Sequence, residues 1–152
     1  MDPGKLGICL DLYKKETDRN QYLLTTSCHP ASCSKNIPLS LATRINRICS
    51  EKDTRDIRLS EMKSLLLLRG YGENIIDQAI DKVKSIPRSK ALQYVKRKEN
   101  SKRPVFAISY DPRLPSISAI QNHHWRSMVS QDPYLREVFP LPPLTAYKRP
   151  KN

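Results

Sequence analysis

"LSLATRINRICSEKDTRDIRLSEMKSLLLLRGYGENIIDQAIDKVKSIP", residues 39–87, decides the fold, because its apolar residues recur at helical spacing three times in succession. From residue 39, Leu41, Ala42, Ile45, Ile48 and Cys49 fall on one face, and Arg44 and Arg47 point elsewhere. A second helix is predicted over about 55–69, turning Leu59, Met62, Leu65, Leu66 and Leu68 inward, and Gly70 suits the left-handed residue that closes a helix C-terminus. After the turn "RGYGEN", a third stripe of Ile75, Ile76, Ala79, Ile80 and Val83 leaves Asp77, Asp81, Lys82 and Lys84 outside, and Pro87 marks its end. These residues predict a helical bundle over 37–86.

Upstream, residues 5–13 ("KLGICLDLY") alternate around Ile8, Leu10 and Leu12, and "QYLLTT" at 21–26 is a candidate partner, so 1–30 is expected to hold a β-hairpin. "SCHPASCSKNIP", with Pro30 and Pro38, reads as an irregular connector. Downstream, 87–103 reads as a basic connector with at most a short helix around 88–95. A strand and a helix follow over 104–139: "PVFAISYDP" is strand-like, and Ser116 is placed to cap a helix carrying Ile117, Ile120, His124 and Met128 inward. Residues 140–152, punctuated by Pro140, Pro142, Pro143 and Pro150, are expected to be an extended, mobile tail. The fold class is therefore mainly α with a small β part.

The chain of 152 residues carries 27 Lys and Arg against 15 Asp and Glu, a formal charge of +12. Such an excess favours a polyanionic partner, since each phosphate neutralised releases counterions. The longest apolar run, Leu65 to Leu68, is far short of the roughly 20 residues a membrane span needs, so no membrane association is expected. The N-terminus lacks a long apolar region, and no secretory signal is read there. An intracellular location follows, with the nucleus one compartment suited to the charge. The cysteines Cys9, Cys28, Cys33 and Cys49 are then expected to be reduced thiols.

Polymerase or nuclease chemistry with two metal ions needs converging carboxylates, and the sequence has no adjacent aspartate pair. Asp11, Asp18, Asp111 and Asp132 suit turns or caps instead. Cys28, His29 and Cys33, with Cys49, are of zinc-ligating type, but Cys28 and His29 are adjacent and no Cys-x-x-Cys knuckle accompanies them, so no metal is expected. His124 is expected to pack beside Trp125. Gly4, Gly7, Gly70 and Gly72 form no phosphate-cradling loop, and no cofactor is expected. The candidate nucleic-acid contacts are Arg44 and Arg47, with the downstream set Arg88, Lys90, Lys96, Arg97, Lys98, Lys102 and Arg103 flanking Tyr94. Cations interleaved with an aromatic suit backbone contact and base stacking, and equally suit a solvated surface. The helices around "RGYG" also fit a helix-turn-helix, but Asp77 and Asp81 beside Gln78 favour packing in a bundle over base reading.

In this order, "DLYKKETDRNQYLLTTSCHP" (11–30), "IPLSLATRINRICS" (37–50), "LLLRGYG" (66–72), "FAISYDP" (106–112), "HHWRSM" (123–128) and "AYKRPKN" (146–152) resemble the region just after the polymerase palm in Penelope-like and related retroelement reverse transcriptases. Glu16 departs from the proline usual in that family. The family's catalytic carboxylate box and its endonuclease are both missing from the chain. The resemblance implies the last palm hairpin, a thumb-like helix-turn-helix domain and a linker, with polymerase and nuclease modules lying upstream and downstream in the parent element. The expectation is a non-enzymatic segment that grips DNA, RNA or a hybrid duplex by its phosphates. A protein-interaction adaptor and a non-functional transposon remnant are the alternatives.

Overall fold

A computed structural model describes residues 8–94 and 103–148, which divide into two compact units. The first contains residues up to Ser27 and from Ala31, and holds α1 (Ala31–Ile48), α2 (Lys52–Leu67), α3 (Glu73–Lys84) and α4 (Arg88–Ala91). The second contains Cys28–Pro30 and the residues from 103 onward, with β1 (Val105–Ser109), α5 (Ile117–Gln131), α6 (Pro133–Val138) and β2 (Leu144–Lys148). The chain is mainly helical, with a small sheet in its second half, as its residue patterns predict.

In the helical unit, the three apolar stripes meet in one core. Ala42, Ile45 and Cys49 of α1 meet Leu59, Met62 and Leu66 of α2 and Ile76 and Val83 of α3, and Tyr71 is packed among them. The connector expected up to Pro38 is instead helical from Ala31. An interior proline forfeits one hydrogen bond and crowds the preceding turn, at a cost of about 3 kcal/mol. Here the Pro38 ring is fully buried and Ile37 packs against the core, and this burial offsets the loss.

The N-terminal hairpin is not formed among the described residues. Residues 8–27 contain turns but no strand, and they lie along the helices as a strap. Leu10 exchanges its backbone bonds with Ser50, donating to its hydroxyl at 2.9 Å and accepting from its amide at 3.0 Å. Leu12 and Tyr22 pack on the core. The alternation of Ile8, Leu10 and Leu12 thus serves an extended segment satisfied by a helix junction, not a strand ladder.

Between α2 and α3 the chain closes through the left-handed Gly70, with φ of 82°. The Tyr71 amide donates to the Leu66 carbonyl at 3.2 Å and the Gly70 amide to the Leu67 carbonyl at 3.0 Å, the pair of bonds that defines a Schellman closure. Its hydrophobic contact is supplied by Tyr71 and Leu66, both in the core. The strap supports this turn: Thr25 donates its amide to the Arg69 carbonyl at 3.4 Å and its hydroxyl to the Gly70 carbonyl at 3.3 Å, and the Tyr71 hydroxyl donates to the Leu23 carbonyl at 3.0 Å.

The second unit is a parallel pair of strands, Val105 opposite Leu144 through Ser109 opposite Lys148, joined by α5 and α6. Parallel neighbours require such a crossover. Ser116 caps α5, accepting from the Ala119 amide, and Asp132 caps α6, accepting from the Tyr134 and Leu135 amides, with Pro133 in the first turn. The tail expected to be extended and mobile contains β2. The inward stripe of α5 is also turned by one residue from expectation. Ile117, Gln121, Trp125 and Val129 are the half-buried positions, and Ile120, His124 and Met128 are exposed. His124 is therefore not a packed histidine, and Gln121 instead accepts a hydrogen bond from the Thr145 hydroxyl of β2.

A Cβ at position 70 would stand 2.9 Å from the Thr25 hydroxyl oxygen and would force an L residue into the left-handed region. Gly70→Ala should lower stability by about 1–3 kcal/mol. Urea denaturation followed by far-UV circular dichroism measures it, and an unchanged midpoint would contradict the closure described.

Candidate nucleic-acid interface

The helical unit divides its cations into those engaged by acids and those that are not. Asp11 of the strap receives the Arg58 guanidinium through both oxygens, at 3.0 and 2.5 Å. Arg58 also reaches Glu61 at 3.0 Å, and Lys14 meets the same carboxylate at 2.6 Å. The Arg58 hydrogen bond holds the Asp11 carboxyl down at about 2, and Asp11 in turn raises the guanidinium. Glu61 is lowered first by its bond from Lys14. On the other side of α2, Lys63 bridges Asp77 at 2.7 Å and Glu73 at 2.8 Å, which raise its pKa in that order. Two of the three acids of α3 are thereby turned toward α2, leaving Asp81 exposed.

A buried polar junction lies beneath these pairs. Asn46 of α1, almost inaccessible to solvent, donates to the Ile86 carbonyl at 3.1 Å and accepts from Arg55 of α2 at 3.0 Å. It ties α1 to α2 and to the segment leaving α3. In the sequence it sits between Ile45 and Arg47 and reads as a surface residue, and only its heptad-like phase with Ala42 and Cys49 marks it as inward. Cys49, also buried, approaches Asp11 at 3.6 Å, and burial raises its thiol pKa. It serves as a core residue.

At the far end of α1, residues separated in sequence come together. The Arg47 Nε donates to the Ala91 carbonyl at 2.9 Å, and the Arg88 Nε donates to the Arg47 carbonyl at 3.2 Å, two bonds in opposite directions that dock α4 on α1. Among the described residues each guanidinium commits only its Nε, so the Nη groups keep their donors. Arg44, one turn before Arg47, and Lys90 are exposed and make no ion pair among the described residues, and Tyr94 is 88% exposed. Neither α1 nor α4 contains an acid. The predicted contacts Arg44, Arg47, Arg88, Lys90 and Tyr94 thus belong to one unit, and α4 brings Arg88 against α1. Lys96, Arg97, Lys98 and Lys102 lie outside the described residues. Arg103 lies in the second unit, where its Nε and Nη2 both donate to the Pro142 carbonyl, at 2.8 and 2.6 Å.

The outward side of α3 presents Asn74, Gln78 and Lys82 at successive turns, all exposed. Gln78 and Lys82 share a shallow groove with Lys35 and Leu39 of α1 and with Ile75.

Three helices with a glycine-closed turn between the second and third define a helix-turn-helix arrangement. Residues 21–81 match the animal helix-turn-helix domain, which points to DNA binding. Curated proteins and solved structures offer no match to the chain. Among the described residues, no helix is long and apolar enough to cross a membrane.

The Asp11 pair gives this arrangement an acid dependence. A carboxyl held at about 2, against an ordinary 3.8, contributes stability above pH 3.8 and loses it as pH falls toward 2. Asp11→Asn should therefore lower the urea midpoint by a nearly constant amount from pH 7 down to about 5, and the difference from the unmodified chain should shrink progressively as pH falls toward 2. A difference undiminished at pH 2 would exclude the ion pair as its source.

Proposed function

We propose that the helical unit binds nucleic acid through its phosphate backbone, using the end formed by α1 and α4. The observation that carries this reading is the docking of α4 on α1 by the Arg47 bond to the Ala91 carbonyl and the Arg88 bond to the Arg47 carbonyl, which sets Arg44, Arg47, Arg88 and Lys90 on two packed helices that contain no acid. Guanidinium groups with uncommitted Nη donors suit phosphate oxygens. Tyr94 adds an exposed ring next to them, suited to stacking. The resemblance to the post-palm region of Penelope-like reverse transcriptases supports a thumb-like role, in which a primer-template duplex of DNA, RNA or both is held irrespective of sequence. The chain does not itself catalyse in this reading, since it carries no paired carboxylates of the kind two-metal chemistry uses. An intracellular, nucleus-accessible protein fits the same role.

A second reading is favoured by one observation: Lys63 draws Glu73 and Asp77 aside, leaving Asn74, Gln78 and Lys82 as the outward stripe of α3. Amide side chains pair with adenine edges and lysine with guanine in a major groove. In that case α3 selects sequence and the α1–α4 end supplies backbone affinity.

Fluorescence anisotropy on several unrelated duplexes across a salt series separates the two. Arg44→Glu and Lys90→Glu remove charges that hold nothing in the fold. Together they should weaken every duplex alike and flatten the log–log salt slope by about 0.9 for each phosphate the variant no longer neutralises. Gln78→Ala with Lys82→Ala should change little. Strong preference for one duplex, abolished by the α3 pair, would establish the second reading. Absence of binding at low salt would defeat both and leave an adaptor or an element remnant.

A further inference from the structure

In the second unit, Arg126 of α5 and Arg136 of α6 line one open groove together with Trp125 and Asn122, and Pro140 and Pro142 border it. Both arginines are exposed, and neither is held by an acid or a carbonyl among the described residues. The acids of the described unit are occupied or face elsewhere. Asp111 is bonded to Arg113, which holds its carboxyl down at about 2. Asp132 caps α6, and Glu137 lines a separate hollow with Phe139 and Leu141. The indole of Trp125 is half-buried. It meets Phe139 edge to face at 6.2 Å, and it lines an apolar hollow with Met128 and Leu135 as well as the arginine groove. One part of the ring is thus anchored while another is presented beside two uncommitted guanidinium groups and an amide.

We propose that this groove binds a single nucleic-acid strand, an unpaired base resting against Trp125 and its flanking phosphates on Arg126 and Arg136. Charge selects the occupant: two exposed cations that no acid engages among the described residues call for an anion, and the aromatic and prolyl walls call for a flat apolar surface attached to it. An unpaired nucleotide supplies both, whereas a duplex hides its base faces. DNA and RNA strands share this chemistry. The site is independent of the α1–α4 end and would stand if that reading failed.

Trp125 is the single tryptophan of the chain, so indole emission comes from the wall of this groove and from nowhere else in the chain. The full chain is titrated at low salt with oligo(dT) and oligo(U) of ten nucleotides, a ten-base-pair blunt duplex, and inorganic polyphosphate. The single strands should quench the emission, and the relative strength of the two oligomers identifies the preferred sugar. Duplex and polyphosphate should leave the emission largely unchanged. Arg126→Gln and Arg136→Gln, both at exposed positions, should each weaken quenching by about tenfold and reduce the salt slope by about 0.7 per phosphate contact. The Arg44→Glu, Lys90→Glu variant should quench as the unmodified chain does, with far-UV circular dichroism verifying each variant's fold. No quenching by either oligomer, equal quenching by duplex or polyphosphate, or quenching indifferent to both arginine substitutions would overturn the proposal.

Discussion

The helical unit depends on how α2 ends. Leu66 must be in the core, and so must Tyr71 five residues later, which a continuing helix could not arrange on the same side with a turn between them. The left-handed Gly70 solves this by reversing the chain while the amides of residues 70 and 71 return to the carbonyls of Leu67 and Leu66. The reversal brings Tyr71 back over Leu66, and α3 starts from Gly72 with Ile76 and Val83 already facing inward. It also orients the outer faces. With α3 leaving the turn in this direction, Glu73 and Asp77 come within reach of Lys63, and Asn74, Gln78 and Lys82 take the outside.

Individual ion pairs at such exposure contribute little to stability, commonly under about 1 kcal/mol. Their larger consequence is the distribution of charge they leave behind. Asp11 of the strap and Glu61 of α2 are matched to Arg58 and Lys14, Glu73 and Asp77 of α3 are matched to Lys63, and Asp56 stands near Lys84 at 3.3 Å. The positive excess is therefore concentrated where no acid lies on the same element, on α1 and α4. Arg47 and Arg88 serve there both as docking bonds and as charge, because each commits only one nitrogen to a carbonyl.

The helices of the first unit are legible in the sequence because a 3.6-residue period is a local property, and the glycine closure is legible because only one residue type readily tolerates φ near +80°. Ser116 is readable as a cap for the same local reason, and Asp132 as a turn or cap residue. Features that depend on distant partners are not. The strap alternates like a strand, yet its backbone partner is Ser50, 40 residues away. Pro38 signals a break, and burial overrides it. The phase of α5 differs by one residue from the apolar pattern because its inward stripe includes the polar Gln121, whose partner Thr145 lies in a strand hidden among prolines. Charge shows which residues are basic. Which of them remain free is fixed only by the contacts of Arg58, Lys63 and Arg103, and Arg103 proves to be engaged by the Pro142 carbonyl.

The two units also differ in what holds them. The helical unit has a closed core, with Leu66, Ile76 and Ala42 fully removed from solvent. In the second unit no described side chain is buried, and its strands, α5 and α6 are joined by the Arg103–Pro142 and Gln121–Thr145 bonds and by the Trp125–Phe139 and Tyr110–Tyr147 ring contacts. Single hydrogen bonds contribute only about 0.5–1.5 kcal/mol each, so local opening here takes less free energy than opening α1 to α3. A ligand that bound only the ordered arrangement would stabilise it increasingly as its concentration exceeded its dissociation constant. Because α5 and α6 both line the arginine groove, occupancy there would hold the two helices together, whereas contact at α1 and α4 would act on a unit that is already closed.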